Sequence, residues 1–336
     1  MNKQRLSNIE LLRIIAMFMI LTVHADYWLL GIPTLEDIRI SKVSVFTRIL
    51  IEQLCVVGVN VFVLITGWFG LKPTIKSFSA FIFQILFFFI GIYTIGVCCG
   101  FTQISIKGLA SCFLFTPANW FIKAYIALYI VAPILNAFIS NTSQKQHATV
   151  ILLLYIFQFI YGWTNSALWI EQGYSVFSFI ALYLVARYLS IYRNETPKFL
   201  GGWQLYLISC LLSTLIGYAG CIINKPIIAG LMTSYVNPLV VIGAIGLLLA
   251  FVKLKIGYSQ WINKIGKSTF AVYLFPCFFI FDFIYRELIY NIYLKYEGPI
   301  VIIMVMLILV VTFITAIIID QLRIFIWNKI WAWREN

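Results

Sequence analysis

Apolar residues run through this chain in long unbroken stretches separated by short polar segments. Ten stretches approach the roughly 20 residues that a helix needs to cross bilayer hydrocarbon. They are 7–30, 50–70, 78–101, 119–139, 148–164, 173–191, 203–223, 232–252, 268–290 and 299–325. Large apolar side chains follow one another with no alternation of period two, which excludes the strands of a membrane β-barrel. The pattern predicts an all-α protein, a polytopic transmembrane helical bundle of about ten spans. Residues 1–336 are expected to form a single integral membrane domain, because no extramembrane segment of useful size remains. The first stretch reads as a retained helix. Lys3 and Arg5 give it a basic start, but Glu10 and Arg13 interrupt the apolar run and no small-residue cleavage site follows closely.

Composition narrows the class. Of 336 residues, 62% are hydrophobic and only 11% charged, where an ordinary soluble domain carries roughly a quarter charged residues. Mean hydropathy is +0.97. So much apolar surface cannot be kept from water, which excludes a soluble enzyme, a nucleic-acid reader and a disordered chain. The formal net charge of +12 then reads as topology, because Lys and Arg hold loops on the cytoplasmic side.

With ten spans both termini share one side, and about twice as many loop Lys and Arg lie there as opposite. Lys72, Lys76, Lys145, Arg187 and Lys253 are among the first group, and Arg39, Lys42, Arg48, Lys107 and Lys225 among the second. Both termini are therefore expected in the cytoplasm; Arg13 and Lys123 fall inside spans and are counted on neither side. Seven Cys form no C-x-x-C pair and lie mostly within apolar runs, as small core hydrophobes do. His24 and His147 are too few for a His-rich metal cluster, so no metal is expected. The two halves show no repeat of the kind on which many transporters are built.

An ionisable residue inside a span costs several kcal/mol, about 3 by insertion scales, and needs a reason. The first stretch holds Glu10, Arg13 and His24, with Asp26 two residues after the histidine. At 100° per residue, the eleven-residue step from Arg13 to His24 ends about 20° past three full turns, so the two share a face roughly 16 Å apart along the axis. Glu10 precedes Arg13 at i, i+3, where the two can pair. Taken alone, Arg13 reads equally as a residue snorkelling to the cytoplasmic interface, and a lone membrane His as a packing residue. Their common face favours a polar stripe running into the membrane.

These residues carry a resemblance. The segment Ser7-Asn8-Ile9-Glu10-Leu11-Leu12-Arg13-Ile14-Ile15-Ala16, closing with His24, resembles the opening of the bacterial acyltransferase-3 family of integral membrane acyltransferases, polysaccharide O-acetyltransferases among them. That family's signature is Arg-x10-His in the first helix. Val61-Phe62-Val63-Leu64-Ile65-Thr66-Gly67-Trp68-Phe69 is similar to its aromatic run ending in Ser/Thr-Gly-aromatic. The stretch from Asn119-Trp120 through Leu128-Tyr129 to Pro133 and the segment Ser268-Thr269-Phe270-Ala271-Val272-Tyr273-Leu274 resemble two later motifs. Two departures stand out. Many relatives carry a second His two residues after the late Tyr-Leu, where this chain has Phe275-Pro276, and some carry an Arg-x-Arg pair where it has only Lys72 and Lys76.

The resemblance implies transfer of an acyl group, usually acetyl, from acyl-CoA to a hydroxyl of a cell-envelope or exported polysaccharide or its lipid-linked precursor. The multi-pass chain would sit in a bacterial cytoplasmic membrane. No permanently bound cofactor is expected; acetyl-CoA is a donor substrate, and the remaining partners are the glycan acceptor and the bilayer, without nucleic acid. The catalytic candidates are His24, Arg13 and Glu10. Imidazole is the side chain whose unperturbed pKa lies nearest neutrality, so His24 suits a general base or a transient nucleophile. A cation at the cytoplasmic end of the same face suits an anionic donor, which assigns Arg13 to the donor together with Lys72 and Lys76.

Asn60, Trp120, Lys123, Tyr129 and Tyr273 are the acceptor candidates, and Asn60, Thr66 or Tyr129 are placed to orient the imidazole, where Asp26 points to another face. Trp120 and Lys123 read equally as an interfacial aromatic belt with a snorkelling Lys. Asp320 and Arg323, at i, i+3, read as a local pair. The alternative class is a transporter or flippase of lipid-linked glycans with His24 in a proton relay. A third is a non-catalytic membrane module.

Overall fold

The computed structural model describes residues 5–165, 170–192, 201–276, 279–296 and 298–335, with the side chains of 279–282, 334 and 335 left aside. Lys3, Arg193, Lys198 and Cys277 lie outside the described residues. All regular structure among the described residues is helical. The helices are α1 (Ser7–Ala25), α2 (Tyr27–Leu30), α3 (Leu35–Ile40), α4 (Lys42–Cys55), α5 (Gly58–Phe69), α6 (Ile75–Cys98), α7 (Ile106–Cys112) and α8 (Trp120–Asn141). They continue with α9 (Gln144–Gln158), α10 (Val176–Tyr192), α11 (Gly202–Ile222), α12 (Ile227–Met232), α13 (Pro238–Lys253), α14 (Gln260–Leu274), α15 (Phe279–Lys295) and α16 (Pro299–Glu335).

Short polar side chains set the helix starts. Thr34, Ser41, Thr74, Ser105 and Ser143 each accept from a main-chain N–H in the first turn of α3, α4, α6, α7 and α9, satisfying donors that a helix leaves unpaired. Asn237 does the same for α13, whose first residue is Pro238, a position where the missing N–H costs nothing.

Among the described residues seven helical segments are long and apolar enough to cross a membrane: Ser7–Leu30, Lys42–Phe69, Ile75–Cys98, Trp120–Asn141, Gln144–Trp163, Gly202–Ile222 and Pro299–Trp333. The shorter apolar helices Val176–Tyr192 and Pro238–Lys253 occupy the expected stretches 173–191 and 232–252. The stretch 268–290 does not form one helix. It is shared between α14, which ends at Leu274, and α15, which starts at Phe279, because Pro276 supplies no N–H and disfavours helix at the residue before it. The second span starts eight residues earlier than the hydropathy suggests, at Lys42 instead of 50. Arg48, expected in a loop, therefore lies inside it, and Arg187, counted with the loop charges at the end of its stretch, lies in α10.

The chain forms two compact units, residues 1–72 with 120–259 and residues 73–119 with 260–336. In the first, α5 is the central helix: every residue except Thr66 and Phe69 is buried. Gly67 brings α5 against α10, since a Cβ there would stand 2.7 Å from the Tyr183 main-chain oxygen. Gly58 does the same toward α1, where a Cβ would meet the Ala16 oxygen at 2.8 Å. Small residues at helix contacts are the usual device where lipid offers no hydrophobic drive. Helix α11 shows the inversion expected in lipid: Ser209, Cys210, Ser213, Thr214 and Gly217 are buried, while Leu207, Leu211, Leu215 and Ile216 face outward.

In the second unit α6 packs on α14, α15 and α16. Asp320 and Arg323 are the expected local pair, with both guanidinium contacts at 2.8 Å. Gln84 of α6 adds a third partner, donating to Asp320 at 2.9 Å. A buried ion pair persists in such a setting only when its remaining acceptors are satisfied.

Candidate functional site

Helix α1 is unbroken from Ser7 to Ala25, so Arg13 and His24 keep the common face that their spacing implies. Ile9, Met17 and Ile20, within about 60° of that face, are buried. The stripe therefore looks into its unit and not into lipid. Glu10, 4% exposed, is held from both sides: Arg5 donates to its Oε1 at 3.1 Å, and Arg13 Nη1 lies 3.6 Å from its Oε2. Arg13 thus shares its carboxylate with Arg5 and retains positive charge on the stripe.

His24 Nδ1 lies 2.7 Å from the main-chain oxygen of Ile20. A carbonyl oxygen only accepts, so Nδ1 carries the hydrogen and the neutral ring bears its lone pair at Nε2. The ring packs edge-on to Trp28, with centroids 6.4 Å apart. Beyond His24, Asp26 ends α1 and accepts from Arg48 Nε at 2.7 Å, while Arg48 Nη2 holds the Gly31 carbonyl at 2.9 Å. One turn along α4 from Arg48 is Glu52, 2% exposed, whose Oε2 receives no hydrogen bond.

An aromatic wall stands in the same unit. Trp120, at the start of α8, packs against Tyr174 at 4.5 Å, Tyr235 at 5.8 Å and Phe179 at 5.9 Å between ring centroids. Tyr174 and Tyr235 lie 5.0 Å apart. Asn60 of α5 joins this wall by donating from Nδ2 to the Tyr235 main-chain oxygen at 2.9 Å. Protein packed around the Tyr174 hydroxyl pushes that phenol above its ordinary value, and the Glu52 carboxylate adds to the shift.

On α5, Thr66 Oγ1 pairs with the Tyr125 hydroxyl at 2.9 Å, and Arg13 is among the charges acting on that phenol. Nearby, Tyr183 donates to Asn136 at 2.6 Å and accepts from the Leu71 N–H at 3.0 Å, closing the end of α5 against α8 and α10. Arg187 donates to the Trp68 carbonyl at 3.3 Å.

A family model described as an acyltransferase domain matches residues 6–319, from the start of α1 into α16. The chain belongs to the acyltransferase-3 family. It is a membrane acyltransferase. No curated protein and no solved structure is detectably similar to it.

Within this acyltransferase the sequence-derived candidates divide between the units. Glu10, Arg13, His24, Asn60, Lys72, Trp120, Lys123 and Tyr129 belong to the first, and Lys76 and Tyr273 to the second. Lys76 Nζ sits 5.0 Å from the Trp331 ring centroid, and Tyr273 stacks on Phe270 at 6.0 Å. Lys72 is exposed, and Lys123 and Tyr129 are half-buried on α8. Asn60 donates to a main-chain carbonyl and Thr66 pairs with Tyr125, whereas the bond that orients Nδ1 of His24 comes from its own helix. His147 is a packing residue, with Nε2 3.2 Å from the Leu184 oxygen and its ring edge-on to Tyr188. No group of metal-ligating side chains occurs among the described residues.

Hydropathy reasoning passed over Arg48, Glu52, Tyr174, Tyr235 and Arg187. Glu52 was visible by the rule that singled out His24, being a carboxylate inside an apolar stretch. Arg48 required the true start of the span. Tyr174 and Tyr235 lie near the starts of the stretches 173–191 and 232–252 and, as uncharged aromatics among many, carry no sequence signal.

Proposed function

We propose that this acyltransferase moves an acetyl group from acetyl-CoA to a hydroxyl of a cell-envelope or exported polysaccharide, or of its lipid-linked precursor. It does so in a bacterial cytoplasmic membrane with both termini inside. The observation carrying this reading is the Nδ1 bond of His24, which leaves the basic lone pair at Nε2 on the same face as Arg13. Arg13, with Lys72 of the same unit, engages the phosphates of the donor, and Glu10 positions Arg13. His24 Nε2 takes the proton of the acceptor hydroxyl, and the oxygen attacks the thioester carbonyl. The C–S bond then breaks, and the imidazolium returns its proton to the departing thiolate.

The reading is tested with membranes, labelled acetyl-CoA and a crude glycan fraction. Acid-stable label is expected in the glycan with the wild type and not with His24→Ala. Transfer that persists undiminished in His24→Ala removes the catalytic assignment. Glycan movement driven by a pH gradient, without label transfer, would establish a flippase instead.

A further inference from the structure

A helix of one turn does not stand by itself, because it forms too few hydrogen bonds to offset the cost of nucleation. Helix α2, Tyr27–Leu30, is such a turn, and one side chain of α4 holds the residues at both of its ends. At the first end, Asp26 accepts the Leu29 and Leu30 N–H groups on its main-chain oxygen and Arg48 Nε on its carboxylate. At the second, Gly31 donates its N–H to the Tyr27 oxygen while its own carbonyl accepts from Arg48 Nη2. Gly31 does so at φ +78° and ψ 179°, a conformation that a side chain would strain. A planar guanidinium suits the task, since its donors leave in fixed and separate directions. Trp28 lies in the turn so bracketed, and its ring stands edge-on to the His24 imidazole at 6.4 Å between centroids. Trp28 is 59% exposed, so the backbone of α2, more than enclosing protein, fixes where that ring stands.

We propose that Arg48 is a positioning residue for His24: by clamping Asp26 and Gly31 it shapes α2 and sets Trp28 against the imidazole. The bond from Nδ1 to the Ile20 oxygen fixes the tautomer but leaves the ring free to pivot about that contact. The edge of the Trp28 indole restricts the pivot, so that Nε2 is presented in one direction. An aromatic edge contact of this kind is weak by itself, and it holds a ring only where the backbone beneath it is fixed. Arg48 supplies that fixity and acts on His24 only through Asp26, Gly31 and Trp28. That the clamp affects acyl transfer rests on His24 being the base in the reading above; that it orders the His24 ring does not.

The two consequences are measured separately. Arg48→Lys keeps a positive charge beside Asp26, but a compact ammonium does not span both acceptors; Trp28→Ala removes the ring contact. In initial-rate assays with labelled acetyl-CoA, each is expected to lower kcat about three- to tenfold with the KM for acetyl-CoA unchanged. The double variant is expected to fall no further than the slower single one, since both changes act through the same contact. Trp28→Phe, which keeps an aromatic edge, is expected to hold most of the wild-type rate. The second measurement needs no turnover. The chain has two histidines, so ring-nitrogen NMR of histidine-labelled protein in lipid nanodiscs gives two sets of signals, and that of His24 is the set lost in His24→Gln. It is expected to show a protonated Nδ1 in the wild type and to move or broaden in Arg48→Lys and Trp28→Ala, while the His147 set stays in place. Unmoved His24 signals in these variants, multiplied losses of kcat in the double variant, or a raised KM with kcat intact overturns the proposal. Moved signals together with undiminished transfer by His24→Ala would overturn the catalytic reading of His24 and leave the clamp on its ring standing.

Discussion

His24 and Ile20 are joined by a 2.7 Å contact between imidazole Nδ1 and the main-chain oxygen one helical turn earlier. The helix itself fixes the tautomer, with no second side chain required at Nδ1. Replacing His24 by Gln puts an amide near the Nε2 position but removes the base. Acetyl transfer is expected to fall about 10²–10⁴-fold in both His24→Gln and His24→Ala. Initial rates with labelled acetyl-CoA check this, and a Gln variant with wild-type rate would show that no proton moves through this ring.

Arg13 shares the Glu10 carboxylate with Arg5. A Lys at 13 keeps the charge but loses the planar fork that grips phosphate at two points. Arg13→Lys is therefore expected to raise the KM for acetyl-CoA about tenfold, with the acceptor KM unchanged. Rates measured against each substrate in turn separate the two, and an unaltered donor KM would take Arg13 out of the donor site.

The Asp26–Arg48 pair is mostly enclosed, with side-chain exposures of 9% and 20%. Removing one partner strands the other charge among apolar helices. Arg48→Met is expected to lower stability by about 3 kcal/mol, and Asp26→Asn combined with Arg48→Met to recover part of that loss. Thermal unfolding of the three variants in detergent supplies the cycle; simple additivity would mean that the ion pair contributes no coupling.

Gly67 has no room for a side chain, because a Cβ would stand 2.7 Å from the Tyr183 oxygen and 2.8 Å from the Ala186 Cβ. Gly67→Ala must push α5 away from α10 and is expected to cost about 1–3 kcal/mol. Gly91, whose Cβ would meet nothing within 4 Å, offers the control: alanine there is expected to leave the unfolding temperature unchanged or slightly raised. Equal effects at both positions would count against close helix approach as the reason for Gly67.

The sequence carried the membrane class, most of the long helices and the stripe on α1, because both kinds of information are local. A span declares itself by continuous apolar length, and a shared helix face by spacing alone. Glu10, Arg13 and His24 could therefore be placed relative to one another before any packing was known. The same locality explains the misplacements. The start of the second span was hidden because Lys42 to Ile49 mixes polar and apolar residues, and the division of the stretch 268–290 because hydropathy ignores the lost N–H of Pro276.

Only the tertiary structure decided which polar residues meet. Asn60 and Tyr235 are 175 positions apart, and Asp26 and Arg48 pair across two helices that hydropathy treats separately. The sequence determined what each helix must hide from lipid. Which buried groups find partners depended on how helix faces came together, since a hydrogen bond forms only over a few ångströms and at a set angle.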